Sequence, residues 1–313
     1  MNVFEQIRNA ASLLSPRIAI TGATRHRVLE AAAAIRRDGI GEPVLVGSAD
    51  AIEAAARARS IPIAGIRIVE PTPEAANRYL GATLAARQSR GALESEVRAS
   101  LRDPDGLASA IVRSGDADVL LSASGSPGVD PWAETRSGSG LIAECFVVGF
   151  NGGGGFLAVD PRATAEPSAT TLAGIALMTA SNARRLLDVE PHIGFVAPTV
   201  FAPLSARDRH RSASETLSDR VWQAAETVRI RDESVRVARQ LLTEVTAGPD
   251  APNIWVFVQR QAGNAAYDLA RRFPGSRAVG PATQGLDIRF NVLTGSGTVS
   301  EIVDLAALTS VVV

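Results

Sequence analysis

The stretch RIAITGATRHRVLEAAAAIRRDGIGEPVLVG, residues 17–47, has the pattern of a strand, a helix and a second strand. Residues 17–21 and 41–47 are short apolar runs, and residues 25–38 place apolar side chains at helical spacing. Because a helix of this length separates the two runs, the segment predicts parallel strands joined by a crossover helix.

The same alternation continues through the first part of the chain. Apolar runs at residues 66–69 and 117–122 predict two more strands, and residues 74–89 and 94–114 have helical spacing. Strands and helices that alternate in this way indicate an α/β fold with a doubly wound parallel sheet.

The middle of the chain has a different pattern. The run LIAECFVVGF (141–150) leads into Asn151 and four glycines, and a second apolar run follows at residues 156–159. Two apolar runs with a glycine-rich link predict a β-hairpin. A phosphate-binding role for the tetraglycine stays open, although no helix start follows it directly. Further helices are expected at residues 168–187, 207–246, 263–273 and 299–310, and further strands at 193–197 and 253–258.

Composition and charge narrow the class of protein. Hydrophobic residues make up 46% of the 313 residues and aromatic ones only 4%, so we expect an aliphatic core. A net charge of -1 gives no electrostatic reason to expect nucleic acid as a partner. The single cysteine, Cys145, lies in an apolar run, which favours a buried thiol over a nucleophile. With neither a secretory-leader pattern nor an apolar run of membrane length, a soluble cytoplasmic protein is expected.

The sequence carries no signature of a metal or nucleotide site. HExxH, CxxC and DxDxDG patterns are absent, and the three histidines, His26, His192 and His210, are far apart. There is no GxxxxGKS/T loop, and no GxGxxG follows the first strand. We therefore expect neither a metal nor a bound cofactor.

Three segments near the end of the chain carry a family resemblance. QAGNAAYDLARRF (261–273), AVGPATQGL (278–286) and VSEIVDLAALT (299–309) resemble, in this order, the C-terminal part of the phosphate acetyl/butyryl transferases. Further segments similar to that family are RVLEAA (27–32), IGEPVLVG (40–47), ANRYLGATLAARQSRG (76–91), DADVLLSAS (116–124) and AVDPRATAEPSATTLAGIA (158–176). The resemblance spans nearly the whole chain.

The resemblance implies two α/β domains with a cleft between them, of the isocitrate/isopropylmalate dehydrogenase type. Residues 1–138 and 286–313 would form the first domain, and residues 139–285 the second. The second domain usually carries the dimer interface in this family, so a homodimer is expected. The implied reaction exchanges a short acyl group between coenzyme A and inorganic phosphate, with acyl-CoA as a substrate.

That reaction requires particular chemical groups. Phosphate needs guanidinium forks and backbone N–H donors, because water otherwise solvates its charge better. The coenzyme A thiol needs a base, and the tetrahedral oxyanion needs donors aimed at it. The resemblance implies that a serine-arginine-glycine turn, an aspartate in the last helix and two arginines of the first domain supply these groups.

This chain departs from that set of residues. The family's serine falls on Thr294, its arginine on Gly295 and its aspartate on Glu301. Arg87 is retained, and Arg136 is the nearest candidate for the other arginine. The resemblance thus implies Thr294 and Glu301 as catalytic residues. The implied substrate-binding residues are Arg87, Arg136, Asn264, Gly280, Gln284, Gly285, Gly295 and Ser296.

Loss of the family's arginine leaves three hypotheses open. In the first, Arg87, Arg136 and Arg289 rebuild the anion site of a divergent phosphate acyltransferase. In the second, Thr294 and Glu301 act on another acceptor. In the third, the chain binds a ligand or regulates a partner without catalysis.

The stretch AVGPATQGLDIRFNVLTGSG (278–297) bears most directly on these hypotheses. Its glycines predict a loop that closes its backbone on an anion. Gly295 and Gly297 also suit a tight turn that caps the helix starting near Val299, and this alternative stays open.

Overall fold

The structure, a computed structural model, describes residues 2–88, 91–123, 141–150, 155–161, 166–196, 207–238, 250–293 and 297–312. Contacts between Cα atoms divide the chain into two compact units. We call residues 7–136 with 286–312 the terminal unit, and residues 1–6, 137–285 and 313 the middle unit. The expected fold class, two α/β domains, is confirmed. The contacts group residues 1–6 with the middle unit, whereas the resemblance implied that they belong to the other domain.

Helices and strands alternate along the described residues. The helices are α1 (Val3–Leu14), α2 (His26–Arg37), α3 (Ala49–Ala58), α4 (Pro73–Gln88), α5 (Glu94–Ser100), α6 (Pro104–Arg113), α7 (Ala169–Leu187), α8 (Arg207–Arg231), α9 (Arg260–Arg272) and α10 (Val299–Val311). The strands are β1 (Arg17–Ile20), β2 (Glu42–Val46), β3 (Arg67–Val69), β4 (Val119–Ser122), β5 (Ala143–Phe150), β6 (Gly155–Pro161), β7 (His192–Val196), β8 (Arg236–Val237), β9 (Ile254–Phe257), β10 (Ser276–Gln284) and β11 (Arg289–Val292).

The terminal unit contains a parallel sheet with the strand order β11-β4-β1-β2-β3. At its centre, Ile18 of β1 pairs with Pro43 of β2 on one side and with Val119 of β4 on the other. The predicted parallel strands are confirmed, and Ile18 is fully buried, as expected for a strand covered on both faces. Because these strands run the same way, their carboxyl ends meet at one edge, which we call the terminal carboxyl edge.

The predicted helix at residues 94–114 is interrupted, because the segment forms two helices, α5 and α6. Pro104 stands at the first position of α6, where its missing N–H is tolerated; within a continuous helix it would remove a hydrogen bond. Asp103 caps α6, since its Oδ1 accepts a hydrogen bond from the backbone N–H of Asp105 at 2.9 Å. The Asp-Pro pair therefore starts a new helix instead of continuing the first one.

The predicted helix at residues 207–246 is too long. Helix α8 ends at Arg231, and the Oδ1 of Asp232 then accepts hydrogen bonds from the backbone N–H (3.1 Å) and the hydroxyl (2.5 Å) of Ser234. This local turn competes with helical hydrogen bonding, and β8 follows it, paired with β7. Residues 239–246 of the prediction lie outside the described residues.

The middle unit contains a mixed sheet with the strand order β10-β5-β6-β9-β7-β8. The predicted hairpin is confirmed, since β5 and β6 are antiparallel with Gly149 opposite Gly155. Strand β5 is antiparallel to β10 as well, whereas β6, β9, β7 and β8 run parallel. Every described strand of this sheet except β5 therefore has its carboxyl end at one edge, beside the amino end of β5. We call it the middle carboxyl edge.

The expectation of a loop over residues 278–297 is wrong for most of that stretch, because β10 and β11 occupy it. The register between β10 and β5 shifts between Val279 and Ala282, at Gly280 and Pro281. Gly280, one of the glycines that suggested a loop, thus forms with Pro281 an irregularity within a strand.

His192, the first residue of β7, gives an expected dependence of stability on pH. Burial lowers the pKa of His192, and the positive charge of Arg236 on the adjacent strand lowers it further. The unfolded chain then binds a proton more readily than the folded chain. The free energy of unfolding is therefore expected to fall as the pH decreases below about 6.5. Denaturant unfolding at a series of pH values measures this fall, and His192→Asn should reduce it; an unchanged pH dependence in the variant would contradict the expectation.

Candidate functional site

Two segments that contain predicted site residues leave the terminal sheet at neighbouring strand ends. Strands β4 and β11 are adjacent and parallel, and the backbone N–H of Leu293 donates to the carbonyl of Ser122 at 2.7 Å. Residues 124–140 follow β4 and residues 294–296 follow β11, so both segments begin at the terminal carboxyl edge, where open α/β sheets bind ligands. The predicted site residues that fall in these two segments, and so outside the described residues, are Arg136, Thr294, Gly295 and Ser296.

A buried polar network fixes these strand ends. Thr21, directly after β1, donates its hydroxyl to Oδ1 of Asp105 at 2.5 Å and accepts a hydrogen bond from the backbone N–H of Ala123 at 3.1 Å. Asp105 is buried in the first turn of α6, where the helix dipole stabilises a carboxylate. Arg25 adds a hydrogen bond from Nη1 to the carbonyl of Ala123 at 2.6 Å. The network therefore holds the residue from which segment 124–140 departs.

Glu301 is fixed by the cap of the last helix. The hydroxyl of Thr298 accepts a hydrogen bond from the N–H of Glu301 at 3.2 Å, and Oε2 of Glu301 accepts one from the N–H of Thr298 at 2.7 Å. This capping box keeps the partly buried carboxylate beside the end of segment 294–296. The structural role of Glu301 was not predicted, although Thr-x-x-Glu before an apolar run is a recognisable capping signal.

Arg87 lies in the last turn of α4 and is partly buried. Its Nη1 donates to the hydroxyl of Ser100 at 3.1 Å, and its Nε and Nη2 are shielded from solvent. Ser100 ends α5, and a short turn leads to α6, whose Asp105 bonds to Thr21 at the end of β1. Ser100 thus joins Arg87 to the segment that leads into α6.

Arg289 lies apart from this group, which argues against the hypothesis that it helps to rebuild the anion site. It is the first residue of β11 and pairs with Val119, the first residue of β4. Beside it, the hydrogen bond from Arg17 and, more weakly, the charge of Arg289 hold the pKa of Asp118 below its usual value. These residues lie at the amino ends of the strands, and strands of this length separate the two edges by about 10 Å.

The terminal unit contains a basic pocket that was not predicted from the sequence. Its volume is about 520 Å³, and the positive end of the α2 dipole adds to the charge of its side chains. Arg27 connects the pocket to the cap of α10, because its Nη1 lies 3.5 Å from the carbonyl of Gly297. The sequence TRHR (24–27), close after the first strand, was a signal that could have indicated this pocket. The lining residues are Thr24, Arg25, His26, Arg27, Ala55, Ala58 and Arg59.

Gln284 lies in the buried interior of the middle unit. Its side chain is fully buried; Nε2 donates to the hydroxyl of Thr179 at 2.6 Å, and Oε1 accepts from Nδ2 of Asn182 at 2.8 Å. Both partners lie on α7. Since α7 satisfies both ends of the amide, packing accounts for Gln284, and its contact with substrate stays a prediction.

Gly280 lies within β10 and Gly285 directly after it, and both meet structural requirements. Both have positive φ angles, 141° and 85°. A Cβ atom at Gly285 would clash with the carbonyl of Leu141, and one at Gly280 would press on the carbonyl of Cys145. Close backbone approach therefore accounts for both glycines, and their contact with substrate stays a prediction.

Asn264 is exposed in the first half of α9, so it is open to a ligand, and its role also stays a prediction.

Cys145 is buried in β5, which confirms the expected buried thiol. Among the described residues, no group of three or more His, Cys, Asp or Glu side chains is placed to hold a metal ion. In the same ranges, no helix is both long enough and apolar enough to cross a membrane.

This geometry defines a class: two-domain α/β proteins with a basic, carboxylate-bearing site at the carboxyl edge of a parallel sheet. A family model for phosphate acetyl/butaryl transferase matches residues 2–310. The phosphate acetyltransferase of Thermoanaerobacterium thermosaccharolyticum is 26% identical over 332 residues, and that of Paracoccus denitrificans is 27% identical over 333 residues; each match covers 99% of both chains. The solved phosphotransacetylase of Staphylococcus aureus shares the fold, with a TM-score of 0.80 at 20% identity over 99% of this chain and 97% of that one.

The match over nearly the whole chain shows that this protein belongs to the phosphate acetyl/butaryl transferase family. The expected enzyme class, an acyltransferase of the phosphotransacetylase type, is confirmed.

Proposed function

We propose that this protein exchanges a short acyl group between coenzyme A and inorganic phosphate. The observation that carries the proposal is a fixed carboxylate close to an arginine-rich pocket: the helix cap holds Glu301, and Nη1 of Arg27 in the pocket lies 3.5 Å from the carbonyl of Gly297, the residue before that cap. Membership of the family supports the same reaction. Coenzyme A is then a substrate, and the reaction needs no resident cofactor.

The pocket at the start of α2 suits the phosphate groups of coenzyme A. Guanidinium groups such as those of Arg25, Arg27 and Arg59 form charge-assisted hydrogen bonds with phosphate oxygens. A volume of about 520 Å³ lies within the usual range of small-molecule sites, roughly 300–1,000 Å³, so it admits more than a single phosphate.

In the proposed mechanism, Glu301 acts on the coenzyme A thiol. When acyl-CoA forms, the carboxylate takes the thiol proton and the thiolate attacks the carbonyl carbon of the acyl phosphate. The new C–S bond pushes the carbonyl electrons onto oxygen, and their return breaks the C–O bond to phosphate, which leaves. In the reverse direction, a phosphate oxygen attacks the thioester and Glu301 returns the proton to the departing thiolate. We assign Thr294 to the oxyanion and Arg87 to phosphate.

Because Gly295 stands where the resemblance implies an arginine, we expect slow phosphate transfer, which an arginine at this position should partly restore. A charge-assisted hydrogen bond contributes about 1.5–3 kcal/mol, so a missing guanidinium lowers phosphate transfer at least about tenfold. We expect the unmodified protein to form acyl phosphate more slowly than a typical family member by this factor. Gly295→Arg is expected to recover part of the lost rate in the same assay. Gly295→Gln, which adds length without charge, is the matched control. Full activity in the unmodified protein would show that other residues have rebuilt the site.

Gly295 also favours a second candidate, transfer to an acceptor other than phosphate. The loss of one guanidinium weakens the binding of an anionic acceptor more than that of a neutral one. Thr294 and Glu301 then form the hydroxyl-carboxylate pair that activates the acceptor. Coenzyme A release that depends on an added alcohol or amine, and not on phosphate, would support this candidate over the first.

Two apolar segments of the middle unit, β5 and α7, do not present an exposed face for the expected homodimer. Residues 143–149 of β5 are buried between two neighbouring strands, and α7 buries its apolar face against the same sheet. Trp222 and Ile230 of α8 remain 52% and 73% exposed, and we propose that this helix carries the contact. Light scattering is expected to give a dimer, and Trp222→Asp to shift it towards monomer; a monomeric unmodified protein would contradict the proposal.

A cytoplasmic location of this protein also stays a prediction.

A further inference from the structure

An ion pair lies at the middle carboxyl edge, outside the residues that the resemblance implied. Glu144 stands near the amino end of β5 and pairs with Thr283 near the end of β10 and with Asp160 near the end of β6. Helix α9 begins with Arg260, shortly after β9 ends at this edge. The two charged residues therefore occupy the edge at which parallel strands present ligand sites.

The carboxylate of Glu144 holds the guanidinium of Arg260. Glu144 shares one face of β5 with Phe146, which stacks on Tyr267 of α9 at 4.6 Å, so this face is the one that α9 covers. The Glu144 side chain is only 5% exposed, and its Oε2 lies 3.2 Å from Nη2 of Arg260. A buried carboxylate is costly without a cation, so this contact also fixes where the guanidinium lies.

Arg260 retains donors for a further anion. Its side chain is 42% exposed, and the contact with Glu144 engages one of its three nitrogens, whereas a guanidinium carries five N–H donors. Its Nε is shielded from solvent and has no hydrogen-bond partner within the described ranges. A charged donor group that is oriented and only partly satisfied is suited to an oxyanion.

The neighbourhood of Arg260 fits a phosphate group. Asn264, four residues later, lies on the same face of α9 and is exposed, so an amide and a guanidinium lie side by side. The side chain of Gln259, which precedes α9, makes no capping hydrogen bond, and the positive end of the helix dipole lies at the same place. The guanidinium and the helix dipole thus favour an anionic ligand, and the amide of Asn264 offers a further donor.

We propose that Arg260, oriented by Glu144, binds a phosphate group at the middle carboxyl edge. The inference rests on the proposed function, which supplies two sources of such a group: inorganic phosphate with its acyl ester, and coenzyme A. It adds a guanidinium to the substrate-binding residues of a chain that has Gly295 where the resemblance implies an arginine.

Isothermal titration of the full chain with inorganic phosphate, and separately with coenzyme A, tests this inference. Arg260→Gln is expected to raise the dissociation constant of at least one ligand about tenfold or more. The ligand that weakens identifies the source of the phosphate group. Arg272→Gln, which removes an exposed charge at the far end of α9, is the matched control and should leave both constants unchanged. Unchanged binding of both ligands to Arg260→Gln would overturn the inference.

A double variant separates ligand binding from packing. Arg260→Gln leaves the buried carboxylate of Glu144 without this partner, so the single variant is expected to lose stability. Glu144→Gln combined with Arg260→Gln removes both charges, and its free energy of unfolding should return towards that of the unmodified protein. If phosphate binding stays weak in the double variant, Arg260 contacts the ligand; if binding returns with stability, Arg260 is structural and the inference fails.

The titration is independent of catalysis. Acyl transfer by the unmodified protein, together with unchanged binding in Arg260→Gln, would overturn the inference and leave the proposed function standing. Arg260-dependent phosphate binding without any acyl transfer would support the inference and contradict the proposed function.

Discussion

Replacing Glu301 with glutamine is expected to lower kcat about 100-fold or more while leaving the fold intact. The amide oxygen of glutamine still accepts the hydrogen bond from the N–H of Thr298, so the cap of α10 remains. The amide cannot take a proton from the thiol, however, and the proposed base is lost. An assay that follows coenzyme A and acyl phosphate gives kcat, and thermal unfolding reports on the fold.

Thr298→Ala is the matched control for this variant. It removes the hydroxyl that accepts a hydrogen bond from the N–H of Glu301 at 3.2 Å, but it keeps the carboxylate. Loss of such a helix cap costs about 1 kcal/mol of stability, and kcat should fall much less than in Glu301→Gln. If Glu301→Gln keeps the kcat of the unmodified protein, Glu301 is only a cap and the mechanism lacks its base.

Arg87→Ala is expected to weaken phosphate binding about 10- to 100-fold. A charge-assisted hydrogen bond contributes about 1.5–3 kcal/mol, and each 1.4 kcal/mol is about a factor of ten. Because the guanidinium is partly buried beside Ser100, solvent and salt screen it less than an exposed charge. The KM for phosphate and the dissociation constant of phosphate measure the effect.

Two further variants show whether Arg87 binds a ligand or only joins α4 to α5. Ser100→Ala removes the hydroxyl that Nη1 of Arg87 contacts, so a purely structural role predicts a stability loss like that of Arg87→Ala. Arg78→Ala removes an exposed charge from the same helix and controls for net charge. Unchanged phosphate binding in Arg87→Ala would show that the assignment is wrong.

The parallel core could be predicted from the sequence because burial on both faces leaves a clear pattern. Runs such as RIAIT (17–21) and ADVLLS (117–122) are continuously apolar, and the structure contains β1 and β4 within two residues of them. The hairpin at residues 141–159 was predictable for a related reason, since its glycine link separates two apolar runs. In both cases the hydrophobic pattern and the local turn residues agree.

Helix ends and the strand β10 were harder to predict because they depend on single side chains. The break at Asp103–Pro104 and the turn at Asp232 interrupt helical spacing that otherwise continues. In β10, Gly280 and Pro281 have low strand propensity, and pairing with β5 on one side overrides it.

The candidate site was predictable in chemistry but not in geometry. A resemblance indicated Glu301 and Arg87 as charged groups, but it could not show the capping bond of the first or the Ser100 contact of the second. Gln284 shows the limit most clearly, because an amide in a glycine-rich stretch suggests a ligand contact, whereas two side chains of α7 bind it. Such partners lie far away in sequence, and local pattern does not report them.

The most direct test of the central claim is the reaction of the unmodified protein with acetyl-CoA and inorganic phosphate. Coenzyme A release, measured by its free thiol, and acyl phosphate formation, measured as the hydroxamate, should appear in equal amounts and rise together with phosphate concentration. The rate should lie at least about tenfold below that of a typical family member, since one guanidinium is missing. Thiol release that is independent of phosphate, or the absence of both products in the unmodified protein and in Gly295→Arg, would contradict the claim.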